Sequence, residues 1–282
     1  MSLFRLTCRD PLVTTLRETF GANLVRVPEL RVQPLCVVAT RRRRAAFQGD
    51  LSPLLSGKLV LPEGFRAQSP MADPQKTRTR NISAKVGLDI LEKFLSGFGI
   101  AAPGINAHFT NTHEVAFSFQ NVVRDWIDIN LLGRALRGLA VDLKNPAGRI
   151  YIKKDRWRLL VIDSIIKSNG FSITATKANA GVAAINVSAV QQLVGNANAS
   201  ISTTSTSASH ITFTGNDHLT FAFSVIEIRL DPSGAITEAP PGTGFTLLSA
   251  DDELENYVPT VGPTFVELAQ KPALIEWDSV DE

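Results

Sequence analysis

The chain has little cysteine: only Cys8 and Cys36 in 282 residues. That excludes a disulfide scaffold and fits a reducing compartment. No run of 18 apolar residues exists, so no transmembrane helix is expected. The opening MSLFRLTCRD lacks the long apolar stretch and small-residue cleavage site of a signal peptide. Together these absences lead to the expectation of a soluble, intracellular protein. Catalytic signatures are missing as well. The four histidines (His108, His113, His210 and His218) form neither HExxH nor a zinc spacing with cysteine. GFGIAAPG (97–104) lacks both GK[ST] and GxGxxG and reads as a tight turn. No serine sits in GxSxG, and the Asp251-Asp252 pair lies in an acidic tail where solvation is its role. Neither an enzyme nor a metal or diffusible cofactor is expected.

What is present is an ordinary globular composition, 44% hydrophobic and 20% charged, with an uneven charge distribution. Residues 1–230 carry 28 Lys+Arg against 16 Asp+Glu, whereas residues 231–282 carry only Lys271 against 11 acids. A basic body with an acidic tail suggests an anionic target that the tail masks or repels; a tail that merely aids solubility is the plainer reading. The basic residues gather at Arg41, Arg42, Arg43 and Arg44, and at Lys153, Lys154, Arg156 and Arg158 around Trp157. Nucleic acid and lipid headgroups both answer that description, the latter at about 1 kcal/mol per basic residue near an anionic surface. No helix-turn-helix, zinc finger or RNA-recognition signature accompanies the patch.

The first helix is signalled by Asp10 as cap, Pro11 at the first helical position, the stripe Leu12, Val13, Leu16, Phe20, and Gly21 as stop. PLCVVAT (34–40) reads as a buried strand with Cys36 in the core. ISAKVGLDILEKFLSGFG (82–99) satisfies the helical period through Ile82, Val86, Ile90 and Phe94, and the strand period through Val86, Leu88, Ile90 and Phe94. It reads as a helix in the soluble form. EVAFSFQNV (114–122) is a strand with Val115, Phe117 and Phe119 on one side. VVRDWIDINLLGRALRGLAVDL (122–143) reads as one helix, and RIYIKKD (149–155), RLLVIDSIIKS (158–168) and HLTFAFSVIEIRLD (218–231) read as strands. Residues 1–231 form the expected main domain and 232–263 an acidic Pro/Gly-rich connection. Residues 264–282 form a tail whose Phe265, Val266, Leu268, Leu274, Ile275 and Trp277 need something to lie against. The fold class expected is α+β, a twisted and mostly antiparallel sheet with surrounding helices.

ANASISTTSTSASHITFTG (197–215) raises a harder question. Ile201, Ile211 and Phe213 share odd positions, and threonine forms strands, yet a flexible Ser/Thr loop has the same composition. Its hydroxyls suit a wall facing water or an exposed soluble strand.

The order of these pieces resembles the gasdermin family, through CRDPLVTTLRETFG (8–21), QPLCVVATRRRR (33–44), RIYIKKDRWRLLVIDSIIKSNGFSITATK (149–177) and HLTFAFSVIEIRLDPSG (218–234). The short C-terminal extension resembles the bacterial branch. That resemblance implies a dormant monomer released by a caspase-like protease, which then oligomerises into a membrane β-barrel pore and kills its own cell in antiviral defence. It places the chain in the cytoplasm when inactive and at the inner membrane when active. It also implies a palmitoyl group on an N-terminal cysteine, for which Cys8 is the match by position; an ordinary buried thiol is the other reading. Under the resemblance Arg9, Arg17, Arg41–Arg44, Lys153, Lys154, Arg156 and Arg158 hold anionic lipids. The cut falls near Phe245, Leu247, Leu248, Leu254, Tyr257 and Val258, and two strand hairpins, 82–120 and 170–215, insert. A non-enzymatic nucleic-acid or protein binding module is the alternative, and a hydrolase ranks third.

Overall fold

The computed structural model describes residues 23–41, 44–70, 82–100, 104–153, 157–176, 184–196, 201–238 and 275–276. Its strands in chain order are β1 (Asn23–Glu29), β2 (Cys36–Arg41), β3 (Arg44–Asp50), β4 (Arg66–Pro70), β5 (Ile82–Ser83), β6 (Phe109–Thr110) and β7 (Glu114–Gln120). They continue with β8 (Val123–Ile127), β9 (Arg158–Thr176), β10 (Ala184–Ile185), β11 (Ile201–Ser207), β12 (His210–Leu230), β13 (Ile236–Glu238) and β14 (Ile275–Glu276). The α-helices among the described residues are α1 (Ala84–Gly97), α2 (Ile129–Leu136) and α3 (Val187–Asn196).

β9 is the spine. Along one side it pairs with β12 from Thr174↔His210 to Leu159↔Ile228. Along the other it meets three strands in turn: β2 at Arg158–Val161, β8 at Ser164–Lys167 and β7 at Gly170–Thr176. All these pairings are antiparallel. The spine is buried on both faces over most of its length, which is why RLLVIDSII reads as an almost continuous apolar run rather than an alternating one. Gly170 is required where it stands, since a Cβ there would lie 2.5 Å from the Phe213 carbonyl oxygen.

One face of this sheet carries two separate cores. The first gathers around Phe94 of α1, whose ring centroid lies 5.1 Å from that of Phe171, 5.2 Å from Phe119 and 6.2 Å from Phe221. Helix α3 closes the same core with Val190 and Val194, one turn apart. The second core packs Leu132 and Leu136 of α2 over Val37, Val161, Ile226 and Ile228. A third cluster, including Val38, Leu160, Ile162 and Phe223, lies on the opposite face.

The structure makes Ala84–Gly97 of the ambiguous segment 82–99 helix, burying Leu88, Ile90, Leu91, Phe94 and Leu95 on one side, while Ile82–Ser83 is strand β5. The expected single helix over 122–143 is wrong at both ends. Residues 123–127 are strand β8, because they pair with β9, and the helix starts only where the Asp128 carboxylate accepts the amides of Asn130 (2.8 Å) and Leu131 (3.1 Å). Gly138, at φ +75°, then ends it. The strand expected in 149–155 is instead a 3-10 turn at Arg149–Tyr151 that buries Tyr151 in the second core. Val187 and Ala189 lie on α3, which Asn186 caps by accepting the Ala189 amide at 3.1 Å. Residues 236–238, expected within the connection, are strand β13 and pair with the end of β12. The helix expected over residues 10–21 lies outside the described residues.

Truncating Phe94 to alanine removes the ring at the centre of the first core and should destabilise the protein by about 3–5 kcal/mol. Asp89→Ala removes the exposed member of the i,i+4 pair with Lys93 and should change stability by less than about 0.5 kcal/mol. Urea unfolding of the two variants checks the contrast.

Candidate functional site

Four adjacent strands, in the spatial order β7, β9, β12 and β11, line up residue by residue over Phe117–Phe119, Phe171–Ile173, Ile211–Phe213 and Thr203–Ser205. One row crosses the sheet as Phe119, Phe171, Phe213 and Thr203; the next parallel row is Phe117, Ile173, Ile211 and Ser205. Cross-strand partners point to the same face, and the six apolar side chains of these rows are buried in the first core, beneath α1 and α3. Between them runs the opposite face, with Ser118, Ser172, Thr212 and Thr204 in one row. Over β7, β9 and β12 one face is apolar and the other is largely hydroxyl-lined, while β11 brings Thr203 and Ser205 to the apolar side. An apolar face backed by a polar one is the composition of a barrel wall between lipid and water.

The stretch 197–215 is therefore hairpin rather than linker from Ile201 onward. It turns at Ala208–Ser209, and its hydroxyls are served locally: Ser205 Oγ donates to the His210 carbonyl at 2.7 Å and Ser202 Oγ to that of Thr214 at 3.3 Å. Such bonds let serine and threonine occupy an exposed strand without competing with its ladder.

At the far side of the sheet β3 forms an edge beyond β2, and β14 lies antiparallel against it through Ile275↔Ala45 and Glu276↔Arg44. Tail backbone thus occupies the outer hydrogen-bonding groups of β3, an edge that would otherwise invite another chain. Ile275 is the one expected tail contact that falls among the described residues. Phe265, Val266, Leu268, Leu274 and Trp277 lie outside them, as do all six positions expected around the cut (Phe245, Leu247, Leu248, Leu254, Tyr257, Val258).

The expected basic residues are not gathered into one described patch. Lys153 is exposed, while Arg158 pairs with Glu227 at 2.7 Å on the sheet. Arg41 of β2 and Arg44 of β3 are ladder partners. Cys8, Arg9, Arg17, Arg42, Arg43, Lys154 and Arg156 lie outside the described residues. Cys36 is buried, and burial pushes its thiol pKa up, as for an inert core cysteine. Among the described residues no group of three or more His, Cys, Asp or Glu is placed to hold a metal ion.

A polar cluster that sequence reading did not single out crosses the middle of the spine. Asp163, 5% exposed, accepts a hydrogen bond from Ser224 Oγ at 2.8 Å, and Arg124 Nε donates to Ser164 Oγ at 2.9 Å. Burial raises the Asp163 pKa, against the opposing pull of Ser224 and Arg124, and burial lowers that of Arg124. On the other face Lys167 pairs with Asp125 at 2.7 Å, and Gln68 donates to the same carboxylate at 2.7 Å. The signal was a lone acid in the apolar run RLLVIDSII.

The model of the Bacterial Gasdermin Family matches residues 25–235. The chain belongs to the bacterial gasdermin family. A gasdermin of Vitiosangium sp. is 33% identical to it over 82% of this chain and 85% of its own length. A second, from a Desulfuromonadales bacterium, is 28% identical over 83% and 86%. The solved structure of a bacterial gasdermin from Bradyrhizobium tropiciagri covers 84% of this chain and 93% of its own with a TM-score of 0.58 at 15% identity, a likeness of gasdermin fold. The family match takes in the amphipathic strands and stops at Ala235, so what the tail does must be argued from this chain's own residues.

The raised pKa of Asp163 means that the folded protein holds this proton more tightly than the unfolded chain does. Its contribution to stability is complete below the ordinary value of 3.8 and is lost as pH rises through the folded value. Asp163→Asn should therefore melt higher than the parent near neutral pH, and the gap should close on acidification. Thermal melts of both proteins between pH 4 and 8 check the sign.

Proposed function

We propose that this gasdermin is a dormant, non-enzymatic pore-forming protein, restrained by its C-terminal segment and released by proteolysis within 245–263. Family membership supports the pore-forming part of this reading. The observation that carries it is the amphipathic set β7, β9, β12 and β11, with its apolar rows beneath two helices. No helix among the described residues is long and apolar enough to cross a membrane. Spanning therefore falls to strands, and only a closed barrel satisfies their backbone in lipid. β9 has 19 residues and β12 has 21, against about 9–11 needed to cross a bilayer.

Release requires that α1 and α3 leave the apolar rows and that their residues extend the neighbouring strands. The double periodicity of 82–99 makes that change possible for α1, since Val86, Leu88, Ile90 and Phe94 can share a strand face. Restraint falls to the tail. Held on the β3 edge by β14, it blocks association, and cutting it removes an acidic segment and uncovers that edge together. In the active state Arg9, Arg17, Arg41–Arg44, Lys153, Lys154, Arg156 and Arg158 hold anionic headgroups. A palmitoyl group on Cys8 adds the second signal that stable anchoring needs. The partners are then anionic lipids, a caspase-like protease and further copies of the chain. The dormant monomer is cytoplasmic, the assembled pore sits in the inner membrane, and its outcome is death of the cell in antiviral defence.

Protein cut at an engineered site between 245 and 263 should empty dye-loaded anionic vesicles, whereas the intact chain should not; equal inertness of both refutes the reading. Proline cannot donate to a strand ladder. The intact Ile275→Pro/Glu276→Pro variant should accordingly leak vesicles without a cut, at a rate approaching that of cleaved protein.

A further inference from the structure

The two cores on the helix-bearing face do not merge, although the same long strands run through both. Along β9 the side chains on that face pass from Leu159 and Val161 in the second core to Ile166, Phe171 and Ile173 in the first. Along β12 they pass from Ile228 and Ile226 to Ala222 and Phe221. Between them stand Asp163, Ser164 and Ser224, with Arg124 reaching in from β8.

The ladder is irregular at the same level. Ser224 pairs with Ser164 but Val225 pairs with Ile162, so Asp163 is an extra residue that reverses which side chains face the helices. Strand partners also change here: β2 serves the second-core part of β9, β8 the polar level and β7 the first-core part. The helices divide likewise, α1 and α3 over the first core and α2 over the second. On the reverse face the same level carries the Lys167–Asp125 pair with Gln68.

We infer that the layer of Asp163, Ser164, Ser224 and Arg124 is a seam along which the first core opens as a unit while the second stays packed. Apolar contact that would couple the two cores is replaced there by groups whose burial gains little net stability. A bulge in the ladder weakens transmission along the backbone as well. Opening in such contiguous units is how folded proteins sample partly unfolded states. The inference rests on the pore reading for its consequence: the elements that must leave lie on one side of the seam, and the base that must persist lies on the other.

Hydrogen exchange of the intact, dormant chain tests the seam without any membrane. Amides of α1, of Phe171–Thr176 and of Ile211–Thr214 should exchange together, at least about ten-fold faster than those of Val37–Ala39, Leu159–Val161 and Ile226–Ile228. The break should fall between Ile162 and Lys167. One common rate on both sides overturns the inference.

Two substitutions separate a seam from a generally loose region. Asp163→Asn keeps an acceptor for Ser224 and removes the charge, and should slow first-core exchange selectively. Ser224→Ala removes the carboxylate's donor and should widen the gap. Equal shifts on both sides of the seam, or none in either variant, overturn it. Vesicle leakage by cleaved parent protein reports on the pore reading alone. A non-leaking parent with two-tier exchange sinks that reading and leaves the seam standing, whereas a leaking parent with uniform exchange does the reverse.

Discussion

The pairing of β9 with β12 is the constraint on which the rest depends. Each strand is several times the usual length of about five or six residues, and six further strands pair directly with one of them. β2, β8 and β7 follow one another along one side of β9, while β1, β11 and β13 follow along the outer side of β12. Because the ladder is continuous, side chains from distant parts of the sequence fall into shared rows. The row Phe119, Phe171, Phe213 is the outcome, with Phe171 and Phe213 stacked at 5.0 Å between ring centroids. That row supplies the apolar surface against which α1 and α3 are stable.

Amphipathic strands that are long enough to cross a bilayer create a problem in water. Their apolar face must be covered, or it becomes an association site. Here the cover comes from helices whose own sequences are short and, in α1, patterned for two periods. The open β3 edge is a second liability, and the tail strand lies on it. The first protection comes from two helices and the second from a two-residue strand.

Much of the fold was legible, for identifiable reasons. EVAFSFQ, ITFTG and PLCVVAT state their strand character through alternation or through a β-branched apolar run. DPSG states a turn, and there the Asp231 carboxylate accepts the Ala235 amide at 2.9 Å. What misled was apolar content without its cap. Residues 122–143 have enough leucine for a long helix, but Asp128 begins the helix and Gly138 ends it. RIYIKKD alternates like a strand, yet a Cβ at Gly148 would collide with the Asp142 carbonyl, so the chain turns tightly there. In 187–196, the Asn186 cap and the i,i+4 pair Val190 and Val194 stabilise a helix.

The sequence by itself determined the antiparallel α+β class, the basic body with its acidic tail, and the alternation that marks the amphipathic strands. These are properties of neighbouring residues, set by side-chain period and charge. Only the tertiary structure decided that Phe119, Phe171 and Phe213 fall in one row, and that Asp163 meets Ser224 and Arg124 between two cores. Each depends on register between strands dozens of residues apart. A one-residue slip in that register would send every side chain of the slipped strand to the other face, and no local pattern records it.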